Sequence, residues 1–199
     1  MRFNYKDWAG QNTKYWASLL AQYLDSDGPV TLIEAGCFEG RSAVWFADYL
    51  THSDSRMYCI DNWKGGEEIE RTNLGFDMKK VSENYFANIE EHEHCNKIIT
   101  HVANTEFGLS SLMPTLFRAV DFIYLDASHT QRDTLVDLTL ALCLIKEGGL
   151  IIVDDYNNRM ATDNPMLRPK TAVDFIIKSF DNEVEFFTTP AGQAVIIRK

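Results

Sequence analysis

The chain alternates short runs of consecutive apolar residues with longer stretches in which apolar residues recur every three or four positions. The short runs lie between turn-forming residues, which predicts buried β-strands. Seven strands are predicted in this way, at residues 31–35, 57–61, 98–103, 122–126, 150–154, 184–188 and 194–198. Helices are predicted at residues 7–24, from the turn after the first strand to about residue 50, and at residues 81–91, 108–113, 133–145 and 171–180.

The order of these elements predicts the fold class. Strands alternate with helices along most of the chain, which is typical of an α/β protein with a doubly wound, Rossmann-like sheet. Gly148 and Gly149 are predicted to form the C-cap of the fifth helix. The last two strands are separated by too few residues for a crossover helix. We therefore predict a mostly parallel sheet that ends in a C-terminal antiparallel hairpin.

Composition limits the domain organisation and the partners. The 199 residues, 45% of them hydrophobic, are enough for one domain with its own core. We predict a single domain over residues 1–199, with an N-terminal helical cap at 1–29 and an α/β core at 30–199. The formal net charge of −10 argues against nucleic acid and against an anionic membrane as partners.

Two further features predict a cytoplasmic protein. No apolar run approaches the length of a membrane span, and the residues from Met1 to Tyr5 do not begin a signal peptide. The four cysteines are scattered without CxxC spacing, and three of them fall in predicted strands or helices. This pattern favours reduced, buried thiols.

The most informative stretch is TLIEAGCFEGRS, at residues 31–42. A strand that ends in Glu34 is followed by Gly36 and Gly40 and then by a helix, an arrangement with which open α/β sheets bind nucleotide-like cofactors. The dinucleotide fingerprint needs a second glycine where this chain has Phe38, so close approach to a pyrophosphate is disfavoured. The acid would repel a phosphate but would suit a cation. An ordinary strand-to-helix turn is the structural alternative.

This E-x-G-x-x-x-G arrangement resembles motif I of the class I S-adenosylmethionine-dependent methyltransferases. A parallel sheet that finishes in a hairpin is also the shape of that fold, so the resemblance extends over nearly the whole chain from Thr31 onward. It implies that Glu34 addresses the ammonium of the methionine moiety and that the glycines pass beneath the cofactor. The cofactor site assigned by this reasoning consists of Glu34, Ala35, Gly36, Gly40, Ser42, Asp61, Asn62, Trp63, Asn104, Thr105 and Asp126.

Individual members of this set have their own support and their own alternatives. Asp61 follows Gly40 by about twenty residues, a separation that places an acid on ribose hydroxyls both in methyltransferases and in dehydrogenases. Trp63 offers a ring that packs on adenine or closes over the cofactor, or is a core or lid aromatic. Asn104 and Thr105 are expected at the adenine edge by resemblance, and Thr105 as a helix N-cap is the alternative.

Carboxylates end two strands that are predicted to be neighbours. Asp126 ends the fourth strand, and Asp154 and Asp155 end the fifth. Because neighbouring parallel strands lie less than about 5 Å apart, these side chains are expected to converge. Mutual repulsion would raise the pKa of one of them, and a hard divalent cation such as Mg²⁺, Mn²⁺ or Ca²⁺ would remove the repulsion.

The segments YLDASH and IIVDDY resemble those of the metal-dependent O-methyltransferases, of the catechol type and, more closely, of the macrocin type that acts on sugars. In those families an acid after the fourth strand and an acidic pair after the fifth strand bind the metal. The resemblance therefore implies Asp126, Asp154 and Asp155 as metal ligands. The alternative is that Asp155 caps a turn and Asp126 contacts only the cofactor.

His129 stands three residues after Asp126, at the start of a helix whose Thr130 and Asp133 resemble a capping box. Imidazole titrates near neutral pH, so His129 is a candidate general base for the acceptor hydroxyl. The alternative is that it orients Asp126. Asp126, His129 and Asp155 are thus the predicted catalytic residues.

Together these observations predict a methyltransferase that uses S-adenosylmethionine and a hard divalent metal such as Mg²⁺ to methylate a hydroxyl of a sugar-like or phenolic small molecule. An NAD-dependent oxidoreductase is the alternative enzyme, opposed by Phe38 and by the terminal hairpin. A catalytically silent cofactor-binding module is the non-enzymatic alternative. The loops at residues 62–80 and 157–170 are expected to shape the acceptor pocket, and a homo-oligomer is left open.

Overall fold

The computed structural model describes residues 1–24, 27–65, 75–157 and 164–199. Its centre is a seven-stranded sheet in the order β3-β2-β1-β4-β5-β7-β6. The strands are β1 (Thr31–Ala35), β2 (Arg56–Asp61), β3 (Ile98–Val102), β4 (Val120–Leu125), β5 (Ile145–Val153), β6 (Val184–Thr188) and β7 (Ala194–Arg198). The first five strands pair in parallel, whereas β7 pairs antiparallel with both β5 and β6. The predicted fold class is confirmed.

Helices cover both faces of the sheet. Those that the structure describes are α1 (Thr13–Tyr23), α2 (Arg41–Ala47), α3 (Met78–Glu90), α4 (Thr105–Leu116), α5 (Gln131–Leu144) and α6 (Pro169–Ser179). Helices α1 to α3 pack on one face and α4 to α6 on the other, so that two separate hydrophobic clusters form. Among the described residues, no helix combines the length and the apolar composition that crossing a membrane would need.

Alternation along β4 shows how the sheet divides the core. All six residues of β4 are buried. Phe122 and Tyr124 belong to the cluster under α1 to α3, whereas Ile123 and Leu125 belong to the cluster under α4 to α6. Successive side chains of a strand point to opposite faces, so a continuous apolar run is what a strand covered on both sides requires. Asp126, the next residue, therefore follows Tyr124 on the first face.

Two predicted boundaries are corrected by local hydrogen bonding. The first helix begins at Thr13 rather than at residue 7, because the N–H of Gly10 donates to Asp7 Oδ1 (2.7 Å) and closes a turn before it. The predicted C-cap at residues 148–149 is wrong. Helix α5 ends at Leu144, the chain is already extended at Ile145, and both glycines lie within β5.

The residues before α1, here called the N-terminal segment (residues 1–12), are fixed to the start of α2. Glu39, which is buried, accepts hydrogen bonds from the backbone N–H groups of Asn4 (3.0 Å) and Tyr5 (3.1 Å). The side-chain amide of Asn84 donates to the same carboxylate (2.7 Å). A buried carboxylate is costly unless its oxygens are paired, so these donors explain how Glu39 is accommodated. The N-terminal segment is thereby held beside the sheet edge at which ligands are expected.

Candidate active site

A cavity of about 900 Å³ opens at the carboxyl ends of the parallel strands. This is the edge at which open α/β sheets bind ligands. The N-terminal segment forms a further part of the wall. The predicted site residues that line the cavity are Gly36, Ser42, Asp61, Asn62, Asn104, Thr105, Asp126, His129, Asp154 and Asp155. The predicted site residues that lie outside this lining are Glu34, Ala35, Gly40 and Trp63.

The glycines of the turn after β1 are required by the protein's own packing. Gly36 has a φ of +89°, and a Cβ at this position would lie 2.1 Å from the backbone oxygen of Asp126. Gly40 has a φ of +79°, and a Cβ there would lie 2.9 Å from the ring of Tyr85. Only glycine tolerates both the conformation and the contact. The turn therefore packs directly against the end of β4, where the acidic residues begin.

Asp61, at the end of β2, holds this turn in place. Its Oδ2 atom accepts hydrogen bonds from the backbone N–H groups of Cys37 (2.8 Å) and Phe38 (3.0 Å). Its Oδ1 atom accepts one from the N–H of Trp63 (2.8 Å). Carboxylate oxygens have lone pairs for further donors, so a contact with ribose hydroxyls stays a prediction. The structure adds that Asp61 fixes the backbone of the glycine turn.

Glu34 is enclosed beneath the turn. Its side chain is fully buried, the hydroxyl of Ser42 donates to it, and the thiol of Cys59 lies 4.0 Å from its Oε2 atom. Burial raises the pKa of Glu34 well above its ordinary value, and the neighbouring Cys59 adds to this rise. Ser42 lines the cavity and Glu34 does not. The predicted contact with the methionine ammonium stays a prediction, and the hydroxyl of Ser42 lies next to the carboxylate that would make it.

The polar residues after β2 and β3 meet as predicted from their strand-end positions. Asn62 donates to the side-chain oxygen of Asn104 (2.7 Å). Asn104, not Thr105, is the N-cap residue of α4, and the hydroxyl of Thr105 donates to Asp137 (2.6 Å). The indole of Trp63 packs on Tyr85, with ring centroids 4.7 Å apart, and donates to the backbone oxygen of Phe38 (2.8 Å). Trp63 is a buried core aromatic, which is one of the two roles expected for it.

Five polar side chains converge at the ends of β4 and β5: Tyr124, Asp126, His129, Asp154 and Asp155. His129 Nε2 lies 3.4 Å from Asp126 Oδ1 and 3.1 Å from Asp155 Oδ2. Asp154 takes a different direction: one of its oxygens accepts from the hydroxyl of Tyr124 and the other from the N–H of Asp155 (2.7 Å). The hydroxyl of Tyr124 also lies 3.3 Å from Asp126 Oδ2. The imidazole thus stands between Asp126 and Asp155, and the hydroxyl of Tyr124 stands between Asp126 and Asp154.

The crowding of carboxylates changes how they bind protons. Burial, and next the repulsion from Asp154, raises the pKa of Asp126 to about 7, while His129 opposes the rise. Burial is also the main cause of the raised pKa of Asp154. The pKa of Tyr124 is raised well above its ordinary value by burial and by the two adjacent aspartates. Asp126 therefore exchanges a proton near neutral pH, which is the property of a general acid or base.

The same place has the donors for a cation. One ligand atom each from Asp126, His129 and Asp155 lie within 4.8 Å of one another. Two carboxylate oxygens and one imidazole nitrogen form a set that suits Mn²⁺ and related divalent ions, and the oxygens alone suit Mg²⁺. Asp154 is not in this group. Its oxygens accept hydrogen bonds from the hydroxyl of Tyr124 and from the N–H of Asp155. The structure thus brings together two of the three predicted metal ligands, with His129 as the third potential ligand.

Several cavity residues are not among the sequence predictions. Tyr124, which lies outside the lining but contacts Asp126 and Asp154, could have been recognised from the sequence, because residues two apart on a strand share a face and it precedes Asp126 by two. Trp8 and Asn12 line the cavity from the N-terminal segment, and no pattern indicates this. Of the two loops expected to shape the pocket, residues 62, 65, 76, 78 and 157 line it, whereas residues 66–74 and 158–163 lie outside the described residues.

Comparison with known proteins agrees with this geometry. A family model described as a methyltransferase domain matches residues 33–156, which is more than half of the chain. No curated protein sequence matches. The chain belongs to this methyltransferase family, and its fold is that of the class I S-adenosylmethionine-dependent methyltransferases.

Solved structures share the fold at low sequence identity. An O-methyltransferase from Bacillus cereus in complex with S-adenosylhomocysteine is 17% identical, with a TM-score of 0.68, and the match covers 97% of this chain and 83% of that one. The O-methyltransferase TomG from Streptomyces achromogenes, in complex with S-adenosylmethionine, is 18% identical, with a TM-score of 0.65 and coverages of 95% and 80%. CalS11, a TDP-rhamnose 3′-O-methyltransferase of calicheamicin biosynthesis, is 15% identical, with a TM-score of 0.63 and coverages of 94% and 79%.

Proposed function

We propose that this protein transfers the methyl group of S-adenosylmethionine to a hydroxyl of a small molecule, sugar-like or phenolic. The observation that carries the proposal is the position of His129 between Asp126 and Asp155, in the same cavity as the glycine turn. A candidate base and a candidate cofactor turn therefore face one volume. O-methyltransferases that share the fold support the hydroxyl acceptor, and one of them is named for a sugar substrate.

The cofactor is proposed to lie across the ends of β1, β2 and β3. Gly36 and Ser42 contact the methionine portion, Asp61 binds the ribose, and Asn62 with Asn104 lines the adenine end. Asp61 fixes the backbone of the turn at Cys37 and Phe38, so it supports the cofactor even where it does not contact it. Binding in this pose presents the sulfonium methyl toward the end of β4, which Gly36 approaches closely.

The chemical step asks little of the protein beyond alignment and removal of a proton. The acceptor oxygen attacks the methyl carbon, the carbon–sulfur bond breaks with its electrons going to sulfur, and S-adenosylhomocysteine leaves. In this proposal His129 Nε2 takes the hydroxyl proton, and the carboxylates of Asp126 and Asp155 stabilise the imidazolium that forms. If His129 instead orients Asp126, then Asp126 takes the proton, since its pKa of about 7 suits that role.

A divalent cation belongs to the proposal as a second element of this site. Asp126 and Asp155 would hold it, together with Asp154 where His129 is the base, or with His129 where Asp126 takes the proton. When bound, it would lower the pKa of the acceptor hydroxyl. The fit rests on the donor atoms of Asp126, His129 and Asp155, which lie within 4.8 Å of one another. The raised pKa of Asp126 gives the same indication, because a cation offsets the repulsion between crowded carboxylates.

The cofactor is tested by direct binding. Purified protein is analysed by mass spectrometry for retained S-adenosylmethionine or S-adenosylhomocysteine, and then titrated calorimetrically with each of these and with NAD. We expect binding of the two sulfur compounds and none of NAD. Binding of NAD alone would replace this proposal with the oxidoreductase. Cofactor binding without methyl transfer to any hydroxyl compound would favour the catalytically silent module.

The proposed partners and cellular location rest on the charge of the protein and on its cysteines. The net charge of −10 and the acidic cavity favour a small-molecule acceptor over nucleic acid or an anionic membrane surface. All four cysteines are free thiols, which supports a location in a reducing compartment such as the cytoplasm.

A further inference from the structure

Three aromatic rings line the cavity on the side of the N-terminal segment. We call them the aromatic wall: Trp8 from that segment, Phe38 from the glycine turn and Phe76 from the residues before α3. The ring centroids of Phe38 and Phe76 are 5.3 Å apart, and the indole of Trp8 lies 5.9 Å and 6.0 Å from them. The ring of Tyr5 packs behind Phe76 at 4.9 Å. The rings meet edge to face, the arrangement that aromatic pairs prefer.

The backbone holds the wall in a conformation that costs energy. Phe38 has a φ of +49°, which is unfavourable for a residue with a side chain. Its N–H is bound by Asp61 and its carbonyl oxygen by the indole of Trp63. These two hydrogen bonds keep the Phe38 ring at the cavity. Trp8 remains 42% exposed, so its indole has surface left to pack on a ligand.

The cavity behind the wall is strongly acidic. Among the described residues that line it, seven are carboxylates: Asp61, Glu106, Asp126, Asp133, Asp137, Asp154 and Asp155. Arg132 is the one permanently cationic side chain in that lining, and it is paired with Asp133 (2.6 Å) and Glu106 (3.3 Å). A cavity lined by charges of one sign concentrates ligands of the opposite sign and repels anions.

Asn12 offers a further acceptor at the same wall. It is the N-cap residue of α1, a position at which asparagine usually bonds to the first backbone N–H groups of the helix. Here its side chain makes no cap bond, the residue is only 4% exposed, and it lines the cavity. Within the described part of the chain, its Oδ1 atom has no hydrogen-bond partner. A buried acceptor without a partner is costly, so a ligand that donates a hydrogen bond would be favoured here.

We propose that the acceptor is a planar aromatic compound that carries a positive charge as well as the hydroxyl to be methylated. This inference rests on the proposed methyl transfer and adds the chemical class of the acceptor. The ring packs against the aromatic wall, where a cation gains from the ring faces. The carboxylates and Asn12 receive the charged donor group. The residues proposed for ribose and adenine follow β2 and β3, which leaves Trp8 and Asn12 to the acceptor.

Binding of fragments tests the acceptor class without any turnover. Phenethylamine, 2-cyclohexylethylamine and 3-phenylpropionate are titrated by ligand-observed NMR, with and without S-adenosylhomocysteine. Phenethylamine and 2-cyclohexylethylamine differ in the aromaticity of the ring, whereas phenethylamine and 3-phenylpropionate differ in the sign of the charge. We expect phenethylamine to bind about 2- to 12-fold more tightly than the cyclohexyl compound, the range that aromatic pairing provides. Over 3-phenylpropionate we expect about 5- to 30-fold, because only the cation gains from the rings of the wall. Equal binding of the cyclohexyl compound, or tighter binding of the anion, would overturn the inference.

The wall itself is tested by substitution of Trp8. We expect Trp8→Ala to weaken phenethylamine by about 5- to 30-fold and Trp8→Phe to retain most of the affinity. Phe117→Ala removes an exposed ring outside the cavity and serves as the control for loss of an aromatic side chain. Binding of S-adenosylhomocysteine should be unchanged in all three variants. A parallel loss of S-adenosylhomocysteine affinity in Trp8→Ala would assign the wall to the cofactor and defeat the inference.

Turnover separates this inference from the proposed function. Tyramine, 4-ethylphenol and 3-(4-hydroxyphenyl)propionate each carry a phenolic hydroxyl but differ in charge. Methyl transfer from labelled S-adenosylmethionine should follow the order cation, neutral compound, anion in kcat/KM. If sugars or the anionic phenol were methylated in preference, the proposed methyltransferase function would be retained, but the inference that the acceptor is an aromatic cation would be wrong. Failure of the protein to bind S-adenosylmethionine would remove the proposed function, while the fragment titrations would still report on the wall.

Discussion

Asp61 and Asp126 each follow the pattern of an acid at the end of a central strand, and both line the same cavity. Their neighbours differ. Asp61 accepts three backbone hydrogen bonds, from Cys37, Phe38 and Trp63. Asp126 lies close to other carboxylates, and burial together with the charge of Asp154 raises its pKa to about 7. One acid holds a turn, and the other has a pKa close to neutral pH.

The comparison shows that residue type and strand-end position do not assign a role. At the end of β2, two N–H groups of the turn after β1 and one of Trp63 point at the carboxylate of Asp61. At β4 and β5 the parallel register places acids side by side, since Asp126 and Asp154 directly follow the paired residues Leu125 and Val153. Pairs of carboxylates in contrasting environments are a recurrent way to obtain different proton affinities in one site. The crowded end is therefore where chemistry is expected.

The largest effect is expected from removing a cation from the crowded end. EDTA should abolish methyl transfer while sparing most of the S-adenosylhomocysteine binding, and added Mg²⁺ should restore turnover. Asp155→Ala should imitate EDTA, because Asp155 follows β5 and lies away from the proposed cofactor contacts. Asp181→Ala, an exposed acid at the far end of α6, is the matched control. Undiminished turnover in EDTA would leave His129 or Asp126 to act without a metal.

Substitution of His129 is expected to be nearly as severe. His129→Ala should lower kcat by about 10²–10⁴, the contribution of a general base, with little change in the cofactor Kd. His101→Ala, on β3 and outside the cavity lining, is the control for loss of an imidazole. A reduction of only a few-fold, with the pH profile of kcat retained, would show that His129 merely orients Asp126.

The Asp61 side of the comparison is tested by cofactor affinity. Asp61→Ala removes three backbone hydrogen bonds from the turn and the proposed ribose contact. The expected loss in S-adenosylmethionine binding is on the order of 1–3 kcal/mol, about five- to 150-fold in Kd. Asp54→Ala, an acid on the loop before β2, should leave the Kd unchanged. Calorimetry that found the same Kd for Asp61→Ala as for the wild type would mean that Asp61 supports neither the turn nor the ribose.

The smallest expected effect concerns Asp137, a buried carboxylate whose pKa burial raises to about 7. The folded protein binds this proton more tightly than the unfolded chain, whose aspartates titrate near pH 4. The stabilising contribution of the proton is therefore complete below about pH 4 and is lost as the pH rises toward about 7. The stability of Asp137→Asn relative to the wild type should therefore rise between these two pH values. At pH 8 the variant should be more stable by on the order of 2 kcal/mol.

Denaturant titrations at pH 5 and pH 8 measure this difference. Asparagine keeps an oxygen for the hydroxyl of Thr105, so the variant retains the bond that Asp137 makes in the folded protein. Asp133→Asn, on the same helix and with a lowered pKa, should cost the same stability at pH 5 and at pH 8, because both values lie above the range in which Asp133 titrates. An unchanged difference between wild type and Asp137→Asn at the two pH values would contradict the raised pKa.

Much of the fold and part of the site could be predicted from the sequence. The strand ends were predictable because a buried parallel strand is a continuous apolar run and the first polar residue after it must leave the sheet. The edge of the sheet that carries Asp61, Asp126 and Asp155 followed from that rule together with the parallel connections. The acids themselves were found from their strand-end positions and, for Asp61, from its spacing after Gly40, and the resemblance implied that Asp126, Asp154 and Asp155 bind a metal. The sequence could not predict which of the acids would contact the same imidazole or hydroxyl group, because this depends on the direction of each side chain at the end of its strand.

The sequence by itself therefore determined the alternation of strands and helices, the glycine turn and the edge at which the acids collect, because these follow from periodicity and from the backbone freedom of glycine. The tertiary structure decided which side chains contact one another at the site. It paired Asp154 with Tyr124 and placed His129 between Asp126 and Asp155. It also brought Trp8 to the cavity through the anchoring of the N-terminal segment. Apart from the contact between Asp126 and His129, which are three residues apart, these contacts join residues distant in the chain, and their distances are set by packing rather than by local pattern.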